Sequence, residues 1–277
     1  MTIAVINIVK IFTSLAISFS IGIAITPIVS SFLYRHKMWK SKARNEALGG
    51  GETPIFNRLH KDREINTPRM GGIIIWVSVL FTIVTIWFIA FLFPSASTIK
   101  LNFFSQNQTW LPLFTLVAAS LVGLVDDFLQ VKGGGAYTAG GLSLIKRIIL
   151  VLLIGFVGAW WFYFKLDVSS VFIPLYGNLA LGILFIPFFM LTMLAVFSGG
   201  VIDGIDGLSG GILASIFSAY AGIAFSQNQI DLAAFCATIV GGTLAFLWFN
   251  IPPARFYMGE TGILGLTSTL SVVAFLS

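Results

Sequence analysis

Five carboxylates in this sequence lie beside long apolar segments, where charged side chains are costly to place. They are Asp126, Asp127, Asp203, Asp206 and Glu260. If these groups converge, they repel one another at low dielectric unless they share a cation. Oxygen ligands without a histidine or cysteine cluster favour Mg²⁺ or Mn²⁺ over zinc, and Mg²⁺ commonly bridges substrate phosphates. The set therefore predicts phosphate chemistry.

The spacing of the carboxylates gives each group a different local setting. Asp126 and Asp127 end an apolar run, and capping explains them poorly because acids at the C-terminus of their own helix oppose its dipole. Asp203 and Asp206 lie three residues apart in a glycine-rich run, so a helical turn would place both on one side. Aspartates that cap a glycine-rich turn are the alternative for this pair. Glu260 follows two prolines and equally suits an ordinary first turn of a helix.

Basic residues that could bind a phosphate precede two of the apolar segments. Residues 58–72 contain four Lys and Arg side chains ahead of Gly71 and Gly72, where a helix can begin. Positive charge and free backbone N–H groups at a helix start can hold a phosphate together. Lys146 and Arg147 stand in a similar place further along the chain. Both groups are also typical of membrane-surface anchors, so the two interpretations stay open.

The composition is that of a membrane protein. Of 277 residues, 57% are hydrophobic and 10% are charged, and the mean hydropathy is +0.96. Apolar runs of about 20 residues can cross the bilayer as helices. The sequence therefore predicts an all-α, polytopic transmembrane bundle, with residues 1–277 as one integral membrane domain and no separate soluble domain. The eight predicted spans are 11–33, 71–93, 110–126, 147–165, 178–197, 209–226, 231–249 and 261–277.

Charge is concentrated in alternate loops. The loops after the first, third, fifth and seventh spans hold thirteen of the sixteen Lys and Arg residues and nine of the eleven acidic residues. The positive-inside rule makes these loops cytoplasmic, and it places all five carboxylates on that face. Anionic lipid headgroups account for the net charge of +5, so no nucleic-acid partner is needed.

Five motifs stand out along the chain, each in a predicted cytoplasmic loop. They are Thr67 to Gly72, Gly123 to Phe128, Gly141 to Ser143 with Lys146, Asp203 to Leu208, and Asn250 to Gly262. In type and order these motifs resemble those of the polyprenyl-phosphate N-acetylhexosamine-1-phosphate transferases. The form of the first motif is similar to that of the branch of the family that acts on muramoyl-pentapeptide.

The resemblance implies a role for each group of site residues. The positions matching the family's catalytic residues are Asp126, Asp127, Lys146, Asp203 and Asp206. The first two would handle the lipid phosphate, the last two would lie in the loop near the nucleotide, and the lysine would supply a cation. Lys61 and Asn250 would bind substrate phosphate.

The resemblance also implies Mg²⁺ as the cofactor, with Glu260 as its ligand. Three positions depart from the family pattern. Glu260 stands where the family has aspartate, and Gly200 stands where it usually has asparagine. Glu64 aligns with the family's lysine before Thr-Pro, which leaves Lys61 as the substitute.

The function that this resemblance implies is transfer of phospho-N-acetylmuramoyl-pentapeptide from its UDP donor to undecaprenyl phosphate, with release of UMP. The alternatives are the N-acetylglucosamine-1-phosphate branch of the family and, from another class, a membrane transporter. The expected location is the bacterial inner membrane with a cytoplasmic active site. A homodimer is a possible oligomeric state. The family has ten spans and a histidine-rich fifth cytoplasmic loop, so we expect the chain to be incomplete at its C-terminus.

Overall fold

The computed structural model describes residues 3–39, 66–104, 108–133, 141–173, 175–202 and 205–277. These ranges form a helical bundle with one small sheet. The helices are α1 (Ile3–Arg35), α2 (Ile73–Leu92), α3 (Ala96–Leu101), α4 (Trp110–Lys132), α5 (Leu144–Lys165), α6 (Phe185–Ser198), α7 (Leu208–Ser226), α8 (Ile230–Asn250) and α9 (Gly259–Leu276).

Seven of these helices, all except α3 and α6, are long and apolar enough to cross a membrane. Residues Gly182–Ser198, which comprise a 3₁₀ turn and α6, form a shorter apolar helix at the position of the fifth predicted span. A bilayer offers no hydrogen-bond partners to the backbone, so an apolar chain satisfies its own amides as helices. The prediction of a polytopic helical membrane bundle is confirmed.

The fifth predicted span begins too early. Strands β1 (Ser170–Ile173) and β2 (Gly177–Ala180) form an antiparallel hairpin in which Ser170 pairs with Ala180. Their apolar residues extend the hydrophobic run that leads into α6. Hydropathy alone therefore did not separate a short hairpin from the start of a helix.

Close packing between helices depends on glycines at points of contact. The two most buried spans are α8 and α9, and α8 packs along α1 while α9 packs along α4. A Cβ added at Gly241 of α8 would lie 2.2 Å from the carbonyl oxygen of Leu15 in α1. One added at Gly265 of α9 would lie 2.1 Å from Ser120 Oγ in α4. Small residues of this kind let membrane helices approach backbone to backbone.

Contacts between loops and helix termini define two ends of the bundle. At the end where α1 and α8 begin, Lys10 Nζ lies 2.5 Å from Asp231 Oδ1 and donates to the carbonyl of Asn102 at 2.9 Å. At the other end, which we call the carboxylate end, α4 finishes and α9 begins. Asp126, Asp127 and Glu260, three of the five carboxylates predicted to share one face, lie there.

Candidate functional site

Asp127, near the C-terminus of α4, caps the start of α9. Its side chain is fully buried. Oδ1 accepts a hydrogen bond from the backbone N–H of Glu260 at 3.0 Å, and Oδ2 accepts from the backbone N–H of Thr261 at 2.9 Å and from its hydroxyl at 2.7 Å. A carboxylate at the N-terminus of a helix is stabilised by free N–H donors and by the helix dipole. Asp127 therefore fixes where α9 begins.

Two glycines allow this cap. Gly259, with a φ of +70°, lies so close to the cap that an added Cβ would sit 2.4 Å from Asp127 Oδ2. A Cβ on Gly123, one turn before Asp127 in α4, would lie 2.2 Å from the carbonyl oxygen of Glu260. The backbones of α4 and α9 consequently touch at the carboxylate end, and the Gly123 to Phe128 motif has a packing function.

Asp126 makes a different set of contacts, although it is adjacent to Asp127. It is 2% exposed. Oδ1 accepts from the backbone N–H of Leu142 at 2.5 Å, while Oδ2 accepts from Gln130 Nε2 at 2.9 Å and lies 2.8 Å from Arg147 Nη2. Asp126 thus holds the segment that precedes α5 against the end of α4.

Arg147 joins two of the carboxylates. Its Nη2 contacts Asp126, and its Nη1 donates to Glu260 Oε1 at 2.5 Å. The guanidinium side chain is 16% exposed and that of Glu260 is 23% exposed. We call Asp126, Arg147 and Glu260 the ion triad. The cation expected between these two carboxylates is, in this structure, a side chain of the protein.

The predicted catalytic cation, Lys146, occupies the first turn of α5 beside Arg147 but is exposed. Successive helical residues point about 100° apart, and here Arg147 contacts the carboxylates whereas Lys146 is exposed. Both residues are candidate cations in the sequence, and the resemblance implies the site role for Lys146. The contact of Arg147 with the carboxylates was not predicted, because spacing alone does not say which of two neighbours faces inward.

The Thr67 to Gly72 motif is tied to the loop before α9 by backbone hydrogen bonds. Tyr257 N–H donates to the carbonyl of Pro68 at 2.8 Å, Gly71 N–H donates to that of Tyr257 at 2.8 Å, and Gly72 N–H donates to that of Met258 at 2.9 Å. This pairing brings Arg69 into electrostatic interaction with Asp127 and Glu260. The motif therefore adds a second guanidinium to the carboxylate end.

Asn250 and Asp206 bind neighbouring loops together. Asn250 is 4% exposed; its Oδ1 accepts from the backbone N–H of Gly207 at 2.9 Å, and its Nδ2 donates to the carbonyl of Phe256 at 2.9 Å. Asp206 Oδ2 accepts from Ala254 N–H at 3.2 Å. These contacts give Asn250 a structural role in positioning the loop, and its predicted role in phosphate binding stays a prediction. Asp203 and Lys61 lie outside the described residues.

The position of Gly200 leaves no room for a larger side chain. A Cβ there would lie 2.4 Å from Cγ2 of Ile263 in α9. The asparagine expected from the family pattern could occupy this place only if Ile263 moved. In this chain the space beside the glycine-rich loop is filled by an aliphatic side chain.

The described carboxylates, as arranged, do not form a cage for a divalent cation. Within the described ranges, no group of three or more His, Cys, Asp or Glu side chains is placed to hold a metal. Both oxygens of Asp126 and of Asp127 accept hydrogen bonds from the protein, and Glu260 Oε1 accepts one from Arg147. The donor types suit Mg²⁺, but their present partners are protein donors.

Comparisons with known proteins agree with this architecture. The model of the family described as Glycosyl transferase family 4 matches residues 109–277, the part of the chain that contains the ion triad. Proteins named phospho-N-acetylmuramoyl-pentapeptide-transferase are similar over most of the chain. That of Chloroflexus aurantiacus is 33% identical over 247 residues, covering 86% of this chain and 63% of its own length. A Geobacillus relative is 32% identical, and the match covers 95% of this chain and 74% of the relative. A Hydrogenobaculum relative is 30% identical, and the match covers 94% of this chain and 70% of the relative.

The fold and the site together define a multi-pass helical membrane protein with an acidic and basic cluster at one end of its bundle. The chain belongs to glycosyl transferase family 4. It spans 63% of the length of the Chloroflexus relative.

Proposed function

We propose that this protein transfers phospho-N-acetylmuramoyl-pentapeptide from its UDP donor to undecaprenyl phosphate, releasing UMP and forming the first lipid-linked intermediate of peptidoglycan synthesis. The observation that carries the proposal is the ion triad at one end of a membrane bundle that belongs to glycosyl transferase family 4. The names of the relatives support this donor over UDP-N-acetylglucosamine. A transporter is not favoured because the three described carboxylates of the cluster lie at one end.

In the proposed reaction, an oxygen of undecaprenyl phosphate attacks the sugar-linked phosphorus of the donor. A new P–O bond forms to the lipid phosphate, and the bond between that phosphorus and the bridging oxygen of UMP breaks. The attacking phosphate is already ionised at neutral pH, so no strong base is required. Asp126 would orient the nucleophile through the segment that it holds, rather than remove a proton.

Both substrates are anions, so the site needs positive charge. Arg147 and Arg69 place two guanidinium groups among the described carboxylates, and guanidinium binds phosphate oxygens in pairs. Asp127 would act by fixing the start of α9. Lys146, Lys61, Asp203, Asp206 and Asn250 stay predicted site residues.

Mg²⁺ stays the predicted cofactor, with Glu260 as its predicted ligand. In the structure, Glu260 Oε1 accepts a hydrogen bond from Arg147. When bound, the metal would neutralise negative charge on the donor diphosphate.

The proposed location is the bacterial inner membrane, with the carboxylate end in the cytoplasm. The loops predicted from the sequence to be cytoplasmic contain thirteen of the sixteen Lys and Arg residues, which supports this orientation by the positive-inside rule. The proposed partners are the UDP-sugar, undecaprenyl phosphate and membrane lipids. The homodimer remains a prediction.

The experiment that tests the proposal is a comparison of donors. The purified full chain is incubated with undecaprenyl phosphate and divalent cation, and UMP release is measured with UDP-N-acetylmuramoyl-pentapeptide or UDP-N-acetylglucosamine. The proposal predicts release with the first donor at least about tenfold faster, equal to about 1.4 kcal/mol of discrimination. Preference for the second donor would reassign the substrate, and release with neither would overturn the proposed function.

A further inference from the structure

Arg147 occupies the place where a bound cation would neutralise Asp126 and Glu260. Its Nη2 lies 2.8 Å from Asp126 Oδ2, and its Nη1 lies 2.5 Å from Glu260 Oε1. Its Nε is buried and has no hydrogen-bond partner among the described residues. The guanidinium is therefore held mainly by the two carboxylates.

The charge balance of the cluster is consistent with this placement. Three carboxylates, Asp126, Asp127 and Glu260, face two guanidinium groups, Arg147 and Arg69. Buried carboxylates of like sign need a nearby cation, and here protein side chains supply most of the required charge. A divalent ion added beside Arg147 would meet its positive charge at close range and would find Glu260 Oε1 already bonded.

We propose that Arg147 is the resident counter-cation of the carboxylate end, and that a divalent cation binds Glu260 only when Arg147 leaves it. Arg147 thereby sets the divalent-cation affinity of the site, and the released guanidinium becomes free to bind a phosphate. Arg147 is in this respect a positioning residue. The inference deepens the proposed function, but its first part concerns cation binding alone and rests on no particular sugar donor.

The length of the residue at position 260 contributes to this competition. The glutamate reaches Arg147 Nη1 at 2.5 Å. An aspartate would withdraw the carboxylate by about one methylene, roughly 1.5 Å of chain, and would weaken this ion pair. The glutamate that replaces the family's aspartate at position 260 is therefore the residue whose length allows the contact with Arg147.

The test is Mn²⁺ binding to the purified full chain without substrate, measured from the free-ion signal in electron paramagnetic resonance. Arg147→Gln keeps much of the side-chain volume and removes the charge, and it is expected to bind Mn²⁺ at least about tenfold more tightly than the unaltered protein. Lys132→Gln removes an exposed charge at the carboxylate end and is the matched control, expected to change affinity less than about threefold. The double variant Arg147→Gln/Glu260→Gln is expected to lose the gain.

A second variant guards against misfolding of Arg147→Gln, which leaves two carboxylates without their cation. Glu260→Asp keeps every charge and is expected to tighten Mn²⁺ binding several-fold through the weaker ion pair. Mn²⁺ affinities for both variants within the range of the Lys132→Gln control would overturn the inference, as would an absence of Mn²⁺ binding in all of them. Tighter Mn²⁺ binding without UMP release from either donor would overturn only the proposed function.

Discussion

At the scale of single residues, the adjacent aspartates Asp126 and Asp127 have different roles. Asp127 accepts three hydrogen bonds from the first turn of α9, whereas Asp126 contacts Arg147 and the segment before α5. Within α4, capping explains neither aspartate, because acids near the C-terminus of a helix oppose its dipole. Asp127 instead caps a different helix, and the position of the two acids in the sequence did not predict this cap. Long-range contacts of this kind leave no signal in local spacing.

We expect Asp127→Asn to lower the stability of the protein. The amide keeps one acceptor oxygen but turns an NH₂ donor towards the N–H groups of α9, which leaves buried donors unsatisfied at a cost of about 1–3 kcal/mol. The loss of stability should appear as a fall of several degrees in the melting temperature, measured by fluorescence-detected size exclusion. Asp167→Asn is the matched control, because Asp167 is exposed and its φ of 53° suits asparagine. Equal melting temperatures for the two variants would contradict the capping role.

At the scale of elements, apolar length and loop charge predicted the spans well because a bilayer imposes the same hydrogen-bond requirement on every crossing segment. Seven predicted spans coincide with long helices to within a few residues at most of their ends. Two features depend on contacts between distant segments and were not predictable from spacing. One is the β1–β2 hairpin, and the other is the inward orientation of Arg147 beside an exposed Lys146.

The contact between α4 and α9 gives a prediction at this scale. Gly123→Ala would place a methyl group against the carbonyl of Glu260, so the first turn of α9 would have to shift away from α4. We expect a loss of about 1–3 kcal/mol of stability together with reduced UMP release. The control is Gly222→Ala in α7, where a Cβ meets nothing within 4 Å and alanine should be neutral or stabilising. Indistinguishable melting curves for the two variants would show that the helices do not approach so closely.

At the scale of the whole molecule, the two ends of the bundle carry different groups of residues. The end where α1 and α8 begin is joined by the ion pair of Lys10 with Asp231 and carries the hairpin. The carboxylate end gathers the ion triad and the described parts of the loops that bear the family motifs. Charge distribution in the sequence predicted this division, because alternate loops of a membrane bundle meet at the same end.

The proposed orientation can be tested by chemical labelling. Lys165→Cys lies at the end of α5 away from the ion triad, and Lys132→Cys lies at the carboxylate end; both native side chains are exposed. The native Cys236 is fully buried, so it is shielded from a membrane-impermeant thiol reagent. In intact spheroplasts we expect labelling of position 165, and labelling of position 132 only after permeabilisation. The reverse pattern would invert the proposed topology.

The most direct test of the central claim is the rate at which Asp126→Asn forms the lipid-linked product from UDP-N-acetylmuramoyl-pentapeptide and undecaprenyl phosphate. The amide would lose the charge that pairs with Arg147 while keeping its size, and it should misplace both the cation and the segment at Leu142. We predict a fall of at least about 100-fold, or roughly 3 kcal/mol in the barrier, with Asp167→Asn within about twofold of the unaltered protein. Near-normal turnover of Asp126→Asn would contradict the placement of the active site at the ion triad.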